Sequence, residues 1–366
     1  MSRGRATGAM LLSNQGVVSV AVVALGVLLS VGLLAVTGAD LGRALPQLAA
    51  GAVGSSAALE ETLRQSIPIM LIGLGVAIGL RAGLFNIGGE GQLYVAALAA
   101  VVVAQALPLT VPLLAVPLIV MAGAAAGALW GGAAGWMRAR LGMNEVITTI
   151  LLNEIGFLLA SYAVHGWLRD QAGGGYPWSH KIAVAFRLPV VRVGPLTIPL
   201  GVAIALAAAL LIGILLERSH LGFRLRTLGD NPDAAAYSGS SVAGLTVLAM
   251  GLAGLLAGLA GVVELAGNQE RLSDFFSPGY GFTAIAVALV GNARAGGVVI
   301  AALLFGALRA GASSMERIAQ VPAATSLVAQ AIIILLLVVA RSDRLSGWIR
   351  RRRALAEALD TPEEAE

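Results

Sequence analysis

Three polar side chains crowd into the seven residues Asn86-Ile-Gly-Gly-Glu-Gly-Gln92, and two more, Asn153 and Glu154, stand side by side within an apolar run. An amide or carboxylate left unpaired in hydrocarbon is costly, so each of these groups must face a bundle interior or a wet cavity. There it can hydrogen-bond a crossing solute or brace one helix against another. Asn153, the eighth residue of its run, admits both roles. Glu90 and Glu145 fall near the ends of runs, where a structural role at a helix entrance is expected of both, and Glu145 as a first-turn acid also complements its helix dipole. The segment Phe275-Phe-Ser-Pro-Gly-Tyr-Gly-Phe282 gathers four aromatic residues whose faces suit stacking on a base or sugar ring. They suit a membrane interface equally well. Asn292, in Gly291-Asn-Ala-Arg-Ala-Gly-Gly297, repeats the asparagine and glycine theme later in the chain.

Other chemistry is not visible. His165, His180 and His220 lie far apart with no metal-ligand spacing, and there is no cysteine, so neither a metal site nor a disulfide is expected. The single lysine, Lys181, is not preceded by a phosphate-cradling glycine loop. No Ser/Lys or His/Asp/Glu constellation for catalysis stands out. The chain is read as a non-enzyme without a cofactor, and any ATP that drives it must be hydrolysed on another subunit.

These residues have to be positioned by elements that live in lipid. Of 366 residues 58% are hydrophobic and 12% charged, against roughly a quarter charged in an average soluble domain. Ten apolar runs follow one another, at about 17–37, 66–81, 91–108, 112–137, 146–165, 197–216, 241–267, 281–292, 297–313 and 325–340. Their length and Ala/Leu/Gly-rich composition predict helices, hence an all-α integral membrane protein of about ten spans. The runs 66–81 and 281–292 are short and meet Gly/Asn-rich loops. Broken spans of that kind point to a transport pathway, and ordinary tight turns would look the same.

Arginines at 3, 5, 138, 140, 218, 224, 226 and in the tail 341–353 all fall on one side of an even number of spans. That side is the cytoplasm by the positive-inside rule, which places both termini there. It also makes nucleic acid an unneeded explanation for the net charge of +4. The domain layout is a cytoplasmic 1–16, a membrane domain 17–340 and a cytoplasmic tail 341–366. Against this orientation, Arg169, Lys181, Arg187 and Arg192 fall in a loop placed outside. Two glycine stripes, Gly123/127/131/135 and Gly251/254/258/261, predict close helix packing. The loop 217–240 mixes Leu221, Phe223, Leu225 and Leu228 with Arg224 and Arg226. An exposed, half-apolar element of this kind either docks on a partner or lies on lipid headgroups.

Four ordered motifs make the chain resemble the permease subunits of bacterial ABC importers for branched-chain amino acids, simple sugars and nucleosides. They are Arg81-Ala-Gly-Leu-Phe-Asn-Ile-Gly-Gly-Glu-Gly-Gln92, Asn144-Glu-Val-Ile-Thr-Thr-Ile-Leu-Leu-Asn153, Gly222-Phe-Arg-Leu-Arg-Thr-Leu-Gly-Asp-Asn231 and Gly279-Tyr-Gly-Phe-Thr-Ala-Ile-Ala-Val-Ala-Leu-Val-Gly-Asn292. The first is most similar to the nucleoside branch. The resemblance implies a multi-pass protein of the bacterial inner membrane that works with a second permease, ABC ATPases and an extracytoplasmic solute-binding protein. It implies that 217–240 carries the coupling helix, with Leu221, Phe223, Arg224, Arg226, Gly229, Asn231 and Asp233 at the ATPase. A small polar solute would pass along Asn86, Glu90, Gln92, Asn153, Glu154, Phe282 and Asn292. The rival from another class is an ion-coupled transporter that uses Glu154 as its ion site.

Overall fold

The computed structural model describes Gly32 and residues 41–108, 110–172, 174–319, 328 and 331–332. They fall into two compact units, residues 48–311 and residues 1–47 with 312–366; the architecture below is that of the first. The expected spans 17–37 and 325–340 lie outside the described residues apart from the helical positions Gly32, Val328, Ala331 and Ile332, as do both termini.

The helices are α1 (Leu41–Val53), α2 (Ser56–Arg81), α3 (Gly89–Ala106), α4 (Pro112–Leu141), α5 (Glu145–His165), α6 (Leu200–Arg218), α7 (His220–Asp230), α8 (Pro232–Tyr237), α9 (Val242–Glu264), α10 (Tyr280–Val290) and α11 (Ala295–Ala319). A π-turn, Leu265–Gln269, extends α9. Among the described residues seven helices are long and apolar enough to cross a membrane: α2 to α6, α9 with its π-turn, and α11. They account for seven of the ten expected runs. The run 281–292 is α10, whose 11 residues span about 16 Å of a core about 30 Å thick.

Sequence signals for the ends hold locally. Ser55, Asn144, Ser219, Asn231 and Ser241 each cap the helix that follows by accepting backbone N–H bonds through the side chain. Gly142, in the left-handed conformation at φ 66°, ends α4. The expectation of an all-α chain needs one amendment. Between α5 and α6 a hairpin pairs β1 (Val190–Val193) with β2 (Leu196–Pro199), Val193 opposite Leu196. Its cause is a β-branched run on either side of Gly194-Pro195, with Gly194 at φ 59°.

The two glycine stripes pack on each other. A methyl carbon on Gly127 of α4 would lie 2.8 Å from Gly258 Cα of α9, and one on Gly131 would lie 3.0 Å from Gly254 Cα. Backbone therefore rests on backbone along this seam, where dispersion is the main attraction between helices in lipid. Gly132, beside the stripe, has nothing within 4 Å of an added carbon. Gly127→Val should accordingly destabilise the purified protein by about 1–3 kcal/mol through overpacking, while Gly132→Ala should leave thermal unfolding, followed by fluorescence-detected gel filtration, at the wild-type midpoint.

Candidate functional site

Two helices start inside the bundle, and their starting points meet. After α2 ends at Arg81, Gly83 turns at φ 71° and the chain runs back to Gly89. A methyl carbon on Gly89 would touch Ile72 and come within 3.6 Å of Gly281 Cα. Ile72 lies nine residues before the end of α2, about 13 Å into the helix. Gly91 packs on Asn153 and Gly156 of α5, at the middle of that helix. Thus α3 begins near half-depth, and α10 begins beside it. Each start presents first-turn N–H groups with no intrahelical acceptor.

Named side chains satisfy them. Asn153 uses both ends of its amide: Nδ2 donates to the Ile87 carbonyl at 2.9 Å and Oδ1 accepts the Gly91 N–H at 2.8 Å. Asn86 Oδ1 accepts the Gly88 N–H at 2.8 Å, and the Asn86 and Gln92 amides face each other at 3.4 Å. Thr149 Oγ1 accepts from Ile87 N at 3.3 Å. Glu90 reaches from the first turn of α3 to α10, where Oε2 accepts the Gly281 N–H at 2.6 Å. Its carboxylate sits at two positive helix ends at once. Ser277 Oγ accepts from Gly279 N and Tyr280 N at 3.3 and 3.2 Å.

A second polar layer surrounds this junction. Arg309 of α11 donates to the Pro278 carbonyl at 3.2 Å and to Thr283 Oγ1 at 3.4 Å, and its guanidinium lies 5.1 Å from the Tyr280 ring centre. Tyr280 OH donates to Gln65 Oε1 at 3.1 Å, and Gln65 Nε2 to Glu61 Oε1 at 2.7 Å. Glu264, buried at the end of α9, accepts from Asn268 and Gln269 at 2.6 and 2.8 Å. Tyr94 OH donates to the Asp274 carbonyl and accepts from Ser277 N, both at 3.1 Å. The loop expected outside closes over the same end. Ser179 pairs with Leu272 through Ser179 N to Leu272 O at 2.9 Å and Leu272 N to Ser179 Oγ at 3.0 Å, and Glu270 takes ion pairs from Arg187 at 2.6 Å and Lys181 at 3.4 Å. Two of the cations that ran against the orientation rule thus share one local counter-charge.

The arrangement ties two helix starts together, and among the described residues no group of three or more His, Cys, Asp or Glu could hold a metal ion. Broken helices that meet inside a multi-span bundle point to a transport pathway. The family described as branched-chain amino acid transport system / permease component matches residues 58–338. This chain belongs to that family.

The permease has well-covered relatives. It is 39% identical over 289 residues to a glucose ABC transporter permease protein of Haloferax volcanii, covering 76% of each chain. It is 38% identical to a guanosine ABC transporter permease protein of Bacillus subtilis, over 83% of this chain and 87% of that one. It is 34% identical to a nucleoside ABC transporter permease protein of Lactococcus lactis, over 77% and 79%. No solved structure matches it.

Of the residues singled out in the permease sequence, Asn86, Glu90, Gln92 and Asn153 come together at the junction. Phe282, 53% exposed, follows Gly281 on α10. Glu154 is exposed on α5. Asn292 is not brought to this group; it sits at φ 56° in the tight turn between α10 and α11, whose Ala293 carbonyl accepts from Arg81 Nε at 3.0 Å. In the 217–240 loop, Leu225 and Leu228 are buried, and Gly229 lies against the backbone of Arg81 and Gly83, seating α7 on the bundle. Asn231 is the cap of α8, and Leu221 is half-buried. Phe223, Arg224 and Asp233 are exposed, Arg224 Nε donating to Ser240 Oγ at 2.9 Å, while Arg226 turns toward a cavity. Sequence reasoning passed over Arg309 and Glu264. An arginine inside the apolar run 297–313 was the available signal, because charge in such a run marks a buried partner.

Asn153→Ala removes the partners of two backbone groups, and an unsatisfied buried group costs roughly 1–3 kcal/mol each. The variant should lose several degrees of thermal stability in nanodiscs, and Asn153→Asp, which keeps the acceptor for Gly91, should lose less.

Proposed function

We propose that this permease forms the membrane pathway of an ATP-driven importer for a nucleoside-like solute, working by alternating access. The observation that carries the reading is the 34–38% identity, over most of the chain, to permeases named for guanosine and for nucleosides. A simple sugar is the second reading, favoured by the glucose permease relative at 39%. Both solutes present a hydroxylated ring to the protein.

The partners in this reading are a second permease, ABC ATPases on the cytoplasmic side and an extracytoplasmic binding protein in the bacterial inner membrane, with both termini of the chain cytoplasmic. Support for a pathway beside the junction comes from Glu154. It is the tenth of 21 residues in α5 and is exposed, and a carboxylate at that depth in lipid is costly. It therefore faces water or a protein partner. We assign Glu154, Phe282 and the accessible part of Glu90 to the wall the solute passes, with Asn86, Gln92 and Asn153 behind them; Asn292, in the turn beside Arg81, would meet the solute only at its exit. Support for ATPase docking comes from the exposed Phe223, Arg224 and Asp233 on an anchored α7–α8 pair. Leu221, Arg226, Gly229 and Asn231 would set the shape of that contact.

The test is uptake of labelled guanosine into vesicles that hold the permease with its partner subunits. Uptake should require ATP, and Glu154→Ala should lower it about tenfold, the scale of one lost charge-assisted contact. Accumulation that survives ATP depletion and stops with an ionophore would overturn the ABC reading. Competition by glucose but not by nucleosides would select the sugar reading.

A further inference from the structure

At the arginine-rich end of the bundle a cavity of about 430 Å³ is walled by the last turns of α2 and α6, by α7, and by the turn into α11. Three guanidinium groups line it, those of Arg81, Arg226 and Arg294, facing one carboxylate, Glu217. Arg81 spends its Nε on the Ala293 carbonyl. The side chains of Arg226 and Arg294 have no hydrogen-bond or ion-pair partner among the described residues, and the Glu217 carboxylate pairs with none of the three. An arginine at a helix C-terminus is ordinary, because it complements the dipole there, and that alone explains Arg81. It does not explain two further unpaired guanidiniums from α7 and from the α11 turn converging on the same space.

The wall adds a second anion-favouring feature. Ala295, on the cavity lining, is the first residue of the 25-residue α11, so the unpaired leading amides and positive dipole end of that helix are at the cavity. The surface that continues from the cavity is apolar. Leu210, Gly213, Ile214 and Glu217 follow helical spacing along one face of α6; Gly213 and Glu217 line the cavity while Leu210 is 65% and Ile214 46% exposed. A site with net positive charge at the polar end of a greasy helix face suits a ligand with an anionic head and an aliphatic body.

We propose that this cavity binds the phosphate of an anionic phospholipid headgroup, with Arg81, Arg226 and Arg294 as donors and an acyl chain along the Leu210–Ile214 face of α6. Basic pockets between membrane helices select such headgroups over zwitterionic ones. Arg226 also belongs to the ATPase contact assigned above, but lipid retention is measured without partners, ATP or solute, so the two readings fail separately.

The experiment is native mass spectrometry of the full chain from nanodiscs containing phosphatidylglycerol, phosphatidylcholine or both. Wild-type protein should retain phosphatidylglycerol about tenfold more strongly than phosphatidylcholine, from a net of about two unpaired guanidiniums. R226Q/R294Q should lose that preference and R226K/R294K should keep most of it, each variant being checked for a single gel-filtration peak. If the double glutamine variant does not fold, R294Q, which alters only an exposed turn residue, should still weaken the preference. Equal retention of the two lipids by wild type, or an unchanged preference in folded R226Q/R294Q, would overturn the proposal. Displacement of phosphatidylglycerol by millimolar orthophosphate would assign the cavity to a free anion. Loss of ATPase binding in R226Q/R294Q with lipid preference intact would assign it to the protein partner. Either result would overturn the lipid reading.

Discussion

A helix that begins in the middle of a membrane exposes N–H groups that hydrocarbon cannot satisfy, and this permease has two such helices, α3 and α10. The bond from Gly281 N–H to the Glu90 carboxylate, at 2.6 Å, is where the two starts are tied together. Around it Asn153 closes the return loop 82–88 by answering one donor and one acceptor with a single amide. With those groups satisfied, irregular backbone can exist at this depth; without them, the segments 82–88 and 270–279 would carry orphaned polar groups in lipid. A junction of this kind places polar atoms at the centre of the bundle without breaking its hydrogen-bond accounting, as a pathway for a polar solute requires.

The surroundings exist to keep that junction still. The α4–α9 seam brings two backbones together with glycine on both sides, so α9 and its π-turn have a fixed base. From the end of α9, Glu264 holds Asn268 and Gln269, and Gln269 Nε2 also donates to the Phe276 carbonyl at 2.5 Å. That chain of bonds leads straight to Ser277 and the start of α10. Arg309 approaches from α11 and fastens Pro278 and Thr283. The loop between α5 and α6 bonds to the stretch just before it, Ser179 to Leu272, Ile182 to Glu270 and Leu188 to Ala266. Several elements thus converge on one short stretch of irregular chain.

Much of the fold was legible in the chain because it depends on local chemistry. Runs of about 20 apolar residues mark spans, Ser, Asn and Gly mark their ends, and a four-residue glycine spacing marks one face of a helix. The polar residues of the first break were legible for the same reason: Asn86, Glu90, Gln92 and Asn153 are expensive in lipid and so had to be partnered. What was not legible depends on residues distant in sequence. That Glu90 would reach Gly281 follows from two segments arriving at one depth, and no local spacing encodes it. The second break lies before α10, at Ser277-Pro-Gly279, rather than after it; positive φ at Asn292 and Ala293 makes 291–294 a tight turn. Arg187 and Lys181 ran against the orientation rule until Glu270, some 80 residues away, supplied their counter-charge.

The central claim is that the two helix starts are buried and bonded to Asn153 and Glu90. Hydrogen–deuterium exchange of the full chain in nanodiscs measures this directly, in peptides covering 86–93 and 277–283. The account predicts slow exchange in both, with the second peptide alone accelerated in Glu90→Ala. Exchange in both peptides as fast as in the exposed stretch 174–176 would contradict it.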